Sequence, residues 1–468
     1  MKKSILLLLL GTFQMVSAQQ LVLTKGIVNT PLPINDSIPG SYSIYLPKDF
    51  TKEKKWPLVL LLDLDGEEET ALQQFIPGAE EEGYILASTH INDSLSLTNN
   101  MLKTGTVLGL ISTALPVDNR RVYTAGMGSG AGYATLTPIF LKKISGVISV
   151  GASLANTEVL DIKHPFHFIG IVGKNDHDYP DMIRVEKTLG RLRFPNHVLL
   201  YEEGEADSLN PYFSKAMQLF KIAAMTKGDL PKDSIYIQNA KTADIQKVNA
   251  LRSQRKLLLA EQFLGEMVTT YAPFRLLDSI REIQKNVRKD RLFKSMRRLE
   301  NAAFFKETLL KEDYAFYMDE DVRTHNFNNL GWWNYQMDEL NKFISGSNVF
   351  EKQMGKRLKG FVNALAEDTV ELVMLDKVVD ADALAFLYML KTIIEPDNFD
   401  YYLNIISLAS KKEDFGTALF YVEEALKLGF KDTKQLDELE HTALLRIDPK
   451  YNALMEKYLK TARYQITE

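Results

Sequence analysis

The stretch Arg121-Val-Tyr-Thr-Ala-Gly-Met-Gly-Ser-Gly-Ala-Gly132 decides how the N-terminal half of this chain folds. Residues 122–125 have the apolar character of a short buried strand, and a helix is predicted to follow the glycines. Gly126 and Gly130 lie two residues before and two residues after Gly128. A sharp strand-to-helix turn needs small residues at those two flanking positions. The sequence therefore predicts such a turn, with no side chain at its centre.

Apolar runs alternate with helix-length segments on both sides of this stretch. Strands are predicted at residues 41–46, 56–62, 84–87, 122–125, 146–150, 166–172 and 198–201, and helices at 101–115 and 180–192. Continuous apolar runs are typical of strands that are buried on both faces. Strands that alternate with helices predict an α/β fold with a mostly parallel sheet, which we place at residues 19–228.

After residue 228 the β pattern ends, and residues 229–468 are predicted to form an all-α domain. One long charged helix is expected at 242–270, and two paired helices at 399–410 and 415–428. Small residues (Ala409, Ala418 and Ala425) lie where paired helices approach closely, and Gly429 occupies a C-cap position. From about residue 396 the pattern resembles a tetratricopeptide-type helical repeat.

The start of the chain predicts export. A basic Met1-Lys2-Lys3, an apolar run at 5–10 and the small residues Val16-Ser17-Ala18 form a secretory signal peptide over residues 1–18. The mature protein is therefore expected in a bacterial periplasm or outside the cell. It is not expected to be a lipoprotein, because the chain has no cysteine.

Composition excludes further classes of protein. Without cysteine there are no disulfides, thiolate zinc sites or cysteine nucleophiles. The formal net charge is -5, and the chain has no strongly basic block of the kind that binds nucleic acid. The Arg- and Lys-rich run at 288–298 is interpreted as a solvated helix face. No stretch after the signal peptide is apolar enough to span a membrane, and no cofactor is expected.

The N-terminal half resembles the α/β-hydrolase superfamily, in its secreted esterase and polyhydroxybutyrate-depolymerase-like branch. Four segments carry the resemblance, in the order that the family has them: Tyr45-Leu-Pro47 with Trp56-Pro-Leu-Val-Leu60, Pro116-Val-Asp-Asn-Arg-Arg-Val-Tyr123, Gly126 to Gly132, and Ile171-Val-Gly-Lys-Asn-Asp176. The resemblance implies a nucleophile elbow at Gly126–Gly130 and a catalytic acid after a later strand.

The triad that this resemblance implies is degenerate. The nucleophile position falls on Gly128, the acid on Asp176 and the histidine on Glu205. A glutamate titrates too low to replace the histidine unless it is strongly desolvated. The strand before the oxyanion turn also leads into Asp63 and Asp65, whose charges oppose an oxyanion. We expect Gly128, Asp176 and Glu205 to converge at the carboxyl ends of the strands.

Ser129 is the alternative nucleophile, in an elbow shifted by one residue. If Ser129 has only a structural role, it lies in the first turn of a helix, where serine is favoured. His177 adjoins Asp176, which disfavours triad geometry between the two, while His164, His167 and His197 are interpreted as structural. The run Asp176-His-Asp178 resembles a metal loop only superficially, so no metal site is predicted.

The sequence leads to two hypotheses of different class. The first is an exported non-catalytic binding or scaffold protein, with a peptide or protein partner on the helical region and a small polar ligand in the vestigial pocket. The second is a serine hydrolase, an esterase or peptidase, that uses Ser129. What separates them is whether a histidine and the Ser129 hydroxyl meet at the top of the sheet.

Overall fold

A computed structural model describes residues 22–35, 38–63, 68–92, 94–154, 156–202, 204 and 209–460. The predicted signal peptide at 1–18, Asp65 and Glu205 lie outside the described residues. Within the described part of the chain, no helix combines the length and the hydrophobicity that crossing a membrane requires.

The N-terminal half forms one eight-stranded sheet in the order β1-β2-β4-β3-β5-β6-β7-β8. Its strands are β1 Val28–Asn35, β2 Ile38–Tyr45, β3 Trp56–Asp63, β4 Ile85–His90, β5 Val117–Met127, β6 Gly146–Val150, β7 His167–Gly173 and β8 Asn196–Tyr201. Strand β2 runs antiparallel to β1 and to β4, whereas β3 is parallel to β4 and β5, and β5 to β6. The predicted α/β fold with a mostly parallel sheet is confirmed.

The central strands form because long apolar runs cover both of their faces. All residues of β6 and β7 are buried, as are seven of the eight in β3. Strand β1 was missed by the sequence analysis. It carries prolines at residues 31 and 33, which weaken a strand pattern, and its place at the sheet edge tolerates them.

Helices fill the connections and continue to the C-terminus. The helices between strands are α1 Glu68–Glu82, α2 Leu97–Ala114, α3 Ser129–Phe140 and α4 Tyr179–Arg191. After β8 follow α5 Asn210–Lys227, α6 Ser234–Ser253, α7 Leu257–Tyr271, α8 Asp278–Lys289, α9 Arg291–Thr324, α10 Leu330–Ser345, α11 Val349–Leu375, α12 Ala381–Ile394, α13 Phe399–Lys411, α14 Phe415–Lys427, α15 Thr433–Glu438 and α16 Pro449–Leu459. The prediction of an all-α region is confirmed.

One predicted helix is wrong, because residues 242–270 belong to two helices. Helix α6 ends at Ser253, and Arg255 adopts a left-handed backbone with φ 59°. The Lys256 N–H then donates to the Leu251 carbonyl at 2.9 Å, which closes the helix end. Because position 255 is arginine and not glycine, local sequence contains no stop signal there.

The described chain divides into two compact units. The first contains the described residues of 1–169, 189–196 and 207–233, and the second those of 170–188, 197–206 and 234–468. The last part of β7, the loop after it and most of β8 thus group with the helices. The sequence boundary at 228, which follows the end of the strands, stays a prediction.

The last helices of the second unit share one apolar core. Helix α14 is capped by Asp414, whose side chain accepts from the Thr417 N–H, and Gly429 follows it with φ 102°. Ala418 and Ala425 are buried in this core, as their spacing predicted. These features confirm two helices and their caps, whereas the tetratricopeptide assignment stays a prediction.

A buried pair of acids joins α7 to β8 and α4 in the second unit. Burial raises the pKa of Glu266 well above its ordinary value, and burial also raises the pKa of Glu186. Glu266 Oε1 accepts from the Val198 N–H at 3.3 Å and from Gln262 Nε2 at 3.1 Å. The folded state therefore favours a protonated Glu266.

Replacing Glu266 by glutamine is expected to flatten the pH dependence of stability. A raised pKa means that the stability contributed by protonated Glu266 is complete at acidic pH and is lost as pH rises toward its folded pKa. Glu266→Gln keeps an acceptor oxygen and cannot ionise, so it should be more stable than the parent at mildly alkaline pH. Urea unfolding at acidic and alkaline pH measures this, with the exposed Glu282→Gln as control. If Glu266→Gln lost as much stability as the parent when the pH is raised, Glu266 would not be the group responsible for the pH dependence.

Candidate functional site

The turn after β5 has the backbone that the sequence predicted. Strand β5 ends at Met127, Gly128 follows with φ 53° and ψ −127°, and α3 begins at Ser129. A positive φ with this ψ is strained for residues that carry a Cβ, and glycine adopts it freely. Among the described residues, and apart from the two chain neighbours of Gly128, no atom lies within 4 Å of an ideal Cβ at this position.

The two flanking glycines are required by close backbone packing. An ideal Cβ on Gly126 would lie 2.2 Å from the Gly130 carbonyl oxygen, and one on Gly130 would lie 2.4 Å from the Leu62 carbonyl oxygen. The first turn of α3 therefore lies directly against the end of β3. Only glycine fits at either position without moving the backbone.

Alanine at Gly130 is expected to lower the free energy of unfolding by about 3 kcal/mol, the upper end of the range for overpacking. The reason is that its Cβ meets a backbone oxygen, which cannot rotate away. Gly132→Ala is the matched control, because Gly132 is in the same helix and has no atom within 4 Å of its ideal Cβ. That control should be neutral or stabilise by up to about 1 kcal/mol. Chemical denaturation compares them, and equal stabilities would refute the packing argument.

A cavity of about 330 Å³ opens beside this turn, within the first unit. Gly126 and Met127 line it from β5, Asp63 from the end of β3, and Thr70 and Gln74 from α1. The lining combines an apolar floor with one carboxylate and two neutral polar groups. Such a cavity can hold a small ligand that carries a polar group next to an apolar part.

Asp63 and His90 lie side by side at the ends of two adjacent strands, β3 and β4. They are register partners in the parallel pair β3–β4, so their side chains project from the same face of the sheet. Lys103 Nζ donates to the His90 carbonyl at 2.8 Å and fixes the end of β4. Sequence analysis missed His90, because its closeness to Asp63 depends on strand register, which local patterns do not reveal.

Ser129 is exposed and occupies the first position of α3. It is not an N-cap that accepts from the helix, since Gly128 holds that position and provides no side-chain cap. The backbone N–H groups of the first turn and the helix dipole favour negative charge at this end of α3. A hydroxyl and an anion-stabilising helix end thus occur together.

The predicted acid, Asp176, lies in the second unit, in the loop after β7. Burial raises the pKa of Asp176, while the charges of His177 and Lys311 oppose the rise. Burial likewise raises the pKa of Asp178 to about 6. Ligand atoms of Asp176, His177 and Asp178 lie within 4.8 Å of one another, so this loop has the donors for a cation, although Lys311 Nζ lies close by and donates to the His177 carbonyl at 3.0 Å.

Helices α9 and α11 hold this loop from within the same unit. Arg357 is buried, donates to the Lys174 carbonyl at 2.7 Å, and forms an ion pair with the buried Glu307 at 2.6 Å. Its guanidinium also lies 5.6 Å from the centre of the Tyr179 ring. The loop that carries Asp176 is thereby fixed at its start and at its end.

The remaining site predictions have mixed outcomes. Buried His197 lies 3.0 Å from the Thr270 hydroxyl, and exposed His164 lies 2.7 Å from Asp161, which agrees with structural roles. Because Glu205 lies outside the described residues and Gly128 and Asp176 belong to different units, their convergence stays a prediction.

No family model matches this chain, and no curated protein matches it. Solved structures do match parts of it. A thermostable esterase is 16% identical with a TM-score of 0.31, and the match covers 38% of this chain and 58% of that one. The esterase of the archaeon Pyrobaculum calidifontis is 12% identical with a TM-score of 0.35, covering 43% and 87%. Est1E from Butyrivibrio proteoclasticus is 11% identical with a TM-score of 0.33, covering 41% and 99%.

The class of fold is an α/β fold with a mostly parallel sheet over the N-terminal part, followed by an all-α region. This chain spans little more than half of the first of these relatives. Two of the three are named as esterases, and none is named as a scaffold protein. The prediction of a non-catalytic binding or scaffold protein is corrected on this finding. The alternative, a hydrolase that uses Ser129, is the hypothesis retained.

Proposed function

We propose that this protein is an esterase-type serine hydrolase whose nucleophile is Ser129. The observation that carries the proposal is the exposed Ser129 at the start of α3, directly after Gly128 with its positive φ and two residues after Met127, which lines the cavity together with Asp63. The proposal rests on the geometry of the first unit. In an elbow shifted by one residue, the nucleophile begins the helix instead of occupying the turn.

His90 is proposed as the base and Asp63 as the group that orients it. Three histidines belong to the first unit: His90, His164 and His167. His164 is exposed beside Asp161, and His167 begins β7 at the amino-terminal edge of the sheet. His90 ends β4 at the carboxyl edge, where the turn with Ser129 also lies. A neutral imidazole suits proton transfer near pH 7.

The proposed reaction follows the two steps of serine esterases. The Ser129 Oγ attacks the carbonyl carbon of an ester while its proton passes to His90, and N–H groups at the start of α3 stabilise the oxyanion. The proton then passes to the departing alcohol, which leaves an acyl group on Ser129. Water, activated by His90, releases the carboxylic acid and restores the serine. The cavity of about 330 Å³ favours esters of short acyl groups.

Other expectations belong with this proposal. Export through the signal peptide 1–18, a tetratricopeptide-like region from about residue 396 and a peptide partner on that region are all proposed from the sequence. A small polar ligand in the turn cavity is compatible with Asp63, Thr70 and Gln74 in its lining.

The test is covalent labelling with a fluorophosphonate probe, read by peptide mass spectrometry. The mature protein should be labelled once, on Ser129, and Ser129→Ala should not be labelled. Ser145→Ala is the matched control, because Ser145 lies before β6 at the opposite edge of the sheet and donates to the Arg120 carbonyl at 2.7 Å. That variant should be labelled like the parent.

A second arm separates the two positions of the elbow. The variant Gly128→Ser/Ser129→Ala places a hydroxyl at the centre of the turn, where no atom in the described part of the chain obstructs it. Labelling of this variant together with an unlabelled parent would show that only the central position can react. In that outcome Ser129 is not a nucleophile and the proposal fails.

A further inference from the structure

Five large apolar side chains are exposed within eight residues where α11 turns into α12. They are Leu372, Met374, Leu375, Val378 and Val379, with 46% to 85% of each residue exposed. We name them the apolar tip. Hydrophobic residues clustered in this way at a surface mark an interaction site, whereas single exposed ones do not.

The surroundings of the apolar tip are acidic. Residues 367–382 contain six acids and one lysine. Three of the acids already have partners: Glu367 with Lys391, Asp380 with His325 and Asp382 with Lys412. Asp368, Glu371 and Asp376 are exposed, and the described residues provide no ion pair for them. The tip therefore favours an apolar partner surface with cations around it.

The first turns of α9 form a surface of that kind. Leu292 and Leu299 are 39% and 47% exposed and lie seven residues apart, on one face of the helix. Arg291 and Arg298 are exposed on the adjoining side of the same turns, and neither has an ion pair among the described residues. We name these four residues the basic face.

These two surfaces cannot meet within one chain. Helix α9 has 34 residues and is about 50 Å long, at 1.5 Å per residue. The basic face lies at its start, whereas the tip is joined to its end, because His325 Nε2 lies 2.8 Å from the Asp380 carboxylate. A partner for each surface must come from another molecule.

We propose that the helical region mediates head-to-tail self-association, in which the apolar tip of one copy binds the basic face of the next. Both surfaces belong to the second unit, and the inference is independent of the proposed hydrolase activity. Such a heterologous contact leaves one tip and one basic face free at the two ends of every assembly, so growth is limited by concentration unless a ring closes. The charged rim makes the contact sensitive to salt.

The test is sedimentation velocity of the mature chain across a wide concentration range. The sedimentation coefficient should rise with concentration at low salt, and the apparent Kd should weaken at least about fivefold at high salt. Two double variants each disrupt one surface. Leu375→Ser/Val378→Ser disrupts the apolar tip, and Arg291→Glu/Arg298→Glu disrupts the basic face. All four positions are exposed, so both variants should fold, and circular dichroism checks this.

Each variant alone should remain a monomer, and a one-to-one mixture should form a dimer and nothing larger, because the mixture retains one intact contact. Ile447→Ser, at an apolar residue 68% exposed elsewhere in the same unit, should associate like the parent. A parent that stays monomeric at every concentration, or a mixture that does not dimerise, overturns the proposal.

Discussion

Replacing Arg357 by methionine is expected to lower the free energy of unfolding by about 3–5 kcal/mol, the cost of leaving one partner of a buried ion pair alone. Arg357 and Glu307 are each 2% exposed, and the guanidinium donates three hydrogen bonds to that carboxylate. The methionine fills much of the volume but leaves Glu307 buried and unpaired. Urea unfolding, followed by the far-ultraviolet signal of the helices, measures the loss.

Two controls separate the charge from the packing. The double variant Arg357→Met/Glu307→Met removes both charges and should recover most of the lost stability. Arg323→Met removes an exposed cation on the same helix as Glu307, and its solvent-screened ion pair with Glu320 should contribute far less to stability. If Arg357→Met is as stable as Arg323→Met, the buried ion pair between Arg357 and Glu307 does not stabilise the packing of α9 against α11.

Replacing His90 by glutamine is expected to lower kcat/KM for a short-chain ester by about 10² to 10⁴, the usual effect of losing a general base. Glutamine resembles imidazole in size but cannot accept the proton of Ser129. Asp63→Asn should also lower kcat/KM, because an amide can hold the imidazole in the wrong tautomer and does not stabilise its charged form. Steady-state hydrolysis measured across pH provides the comparison.

His164→Gln is the matched control, since His164 is an exposed histidine of the same unit that lies beside Asp161. It should hydrolyse the ester like the parent. If His90→Gln also hydrolyses like the parent while Ser129 remains labelled by the probe, the nucleophile stands and the base must be sought elsewhere.

Much of the fold followed from local sequence. The apolar runs of β3, β6 and β7 identified buried strands, because only strands covered on both faces can be apolar throughout. Strand β1 was missed, since its prolines weaken the pattern and only an edge position accommodates them. The helix break at Arg255 was missed as well, because the non-glycine residue there conceals the left-handed backbone.

The candidate site was predictable only in part, for the same reason. Gly126, Gly128 and Gly130 identified the turn, because the backbone constraint acts within five residues. The pairing of His90 with Asp63 joins residues far apart in the chain through strand register, and no local pattern encodes it. A histidine at the end of a predicted strand is the signal that could have drawn attention to it.

The sequence by itself determined the sheet, the helical C-terminal half and a turn with no side chain at its centre, because each depends on the character of neighbouring residues. Tertiary structure alone decided which side chains surround that turn, and it joined Arg357 to Glu307 across 50 residues. Such contacts arise where separate elements pack together, and the free energy of packing depends on the whole fold. The cavity beside this turn and the register that brings His90 next to Asp63 therefore became visible only in the folded chain.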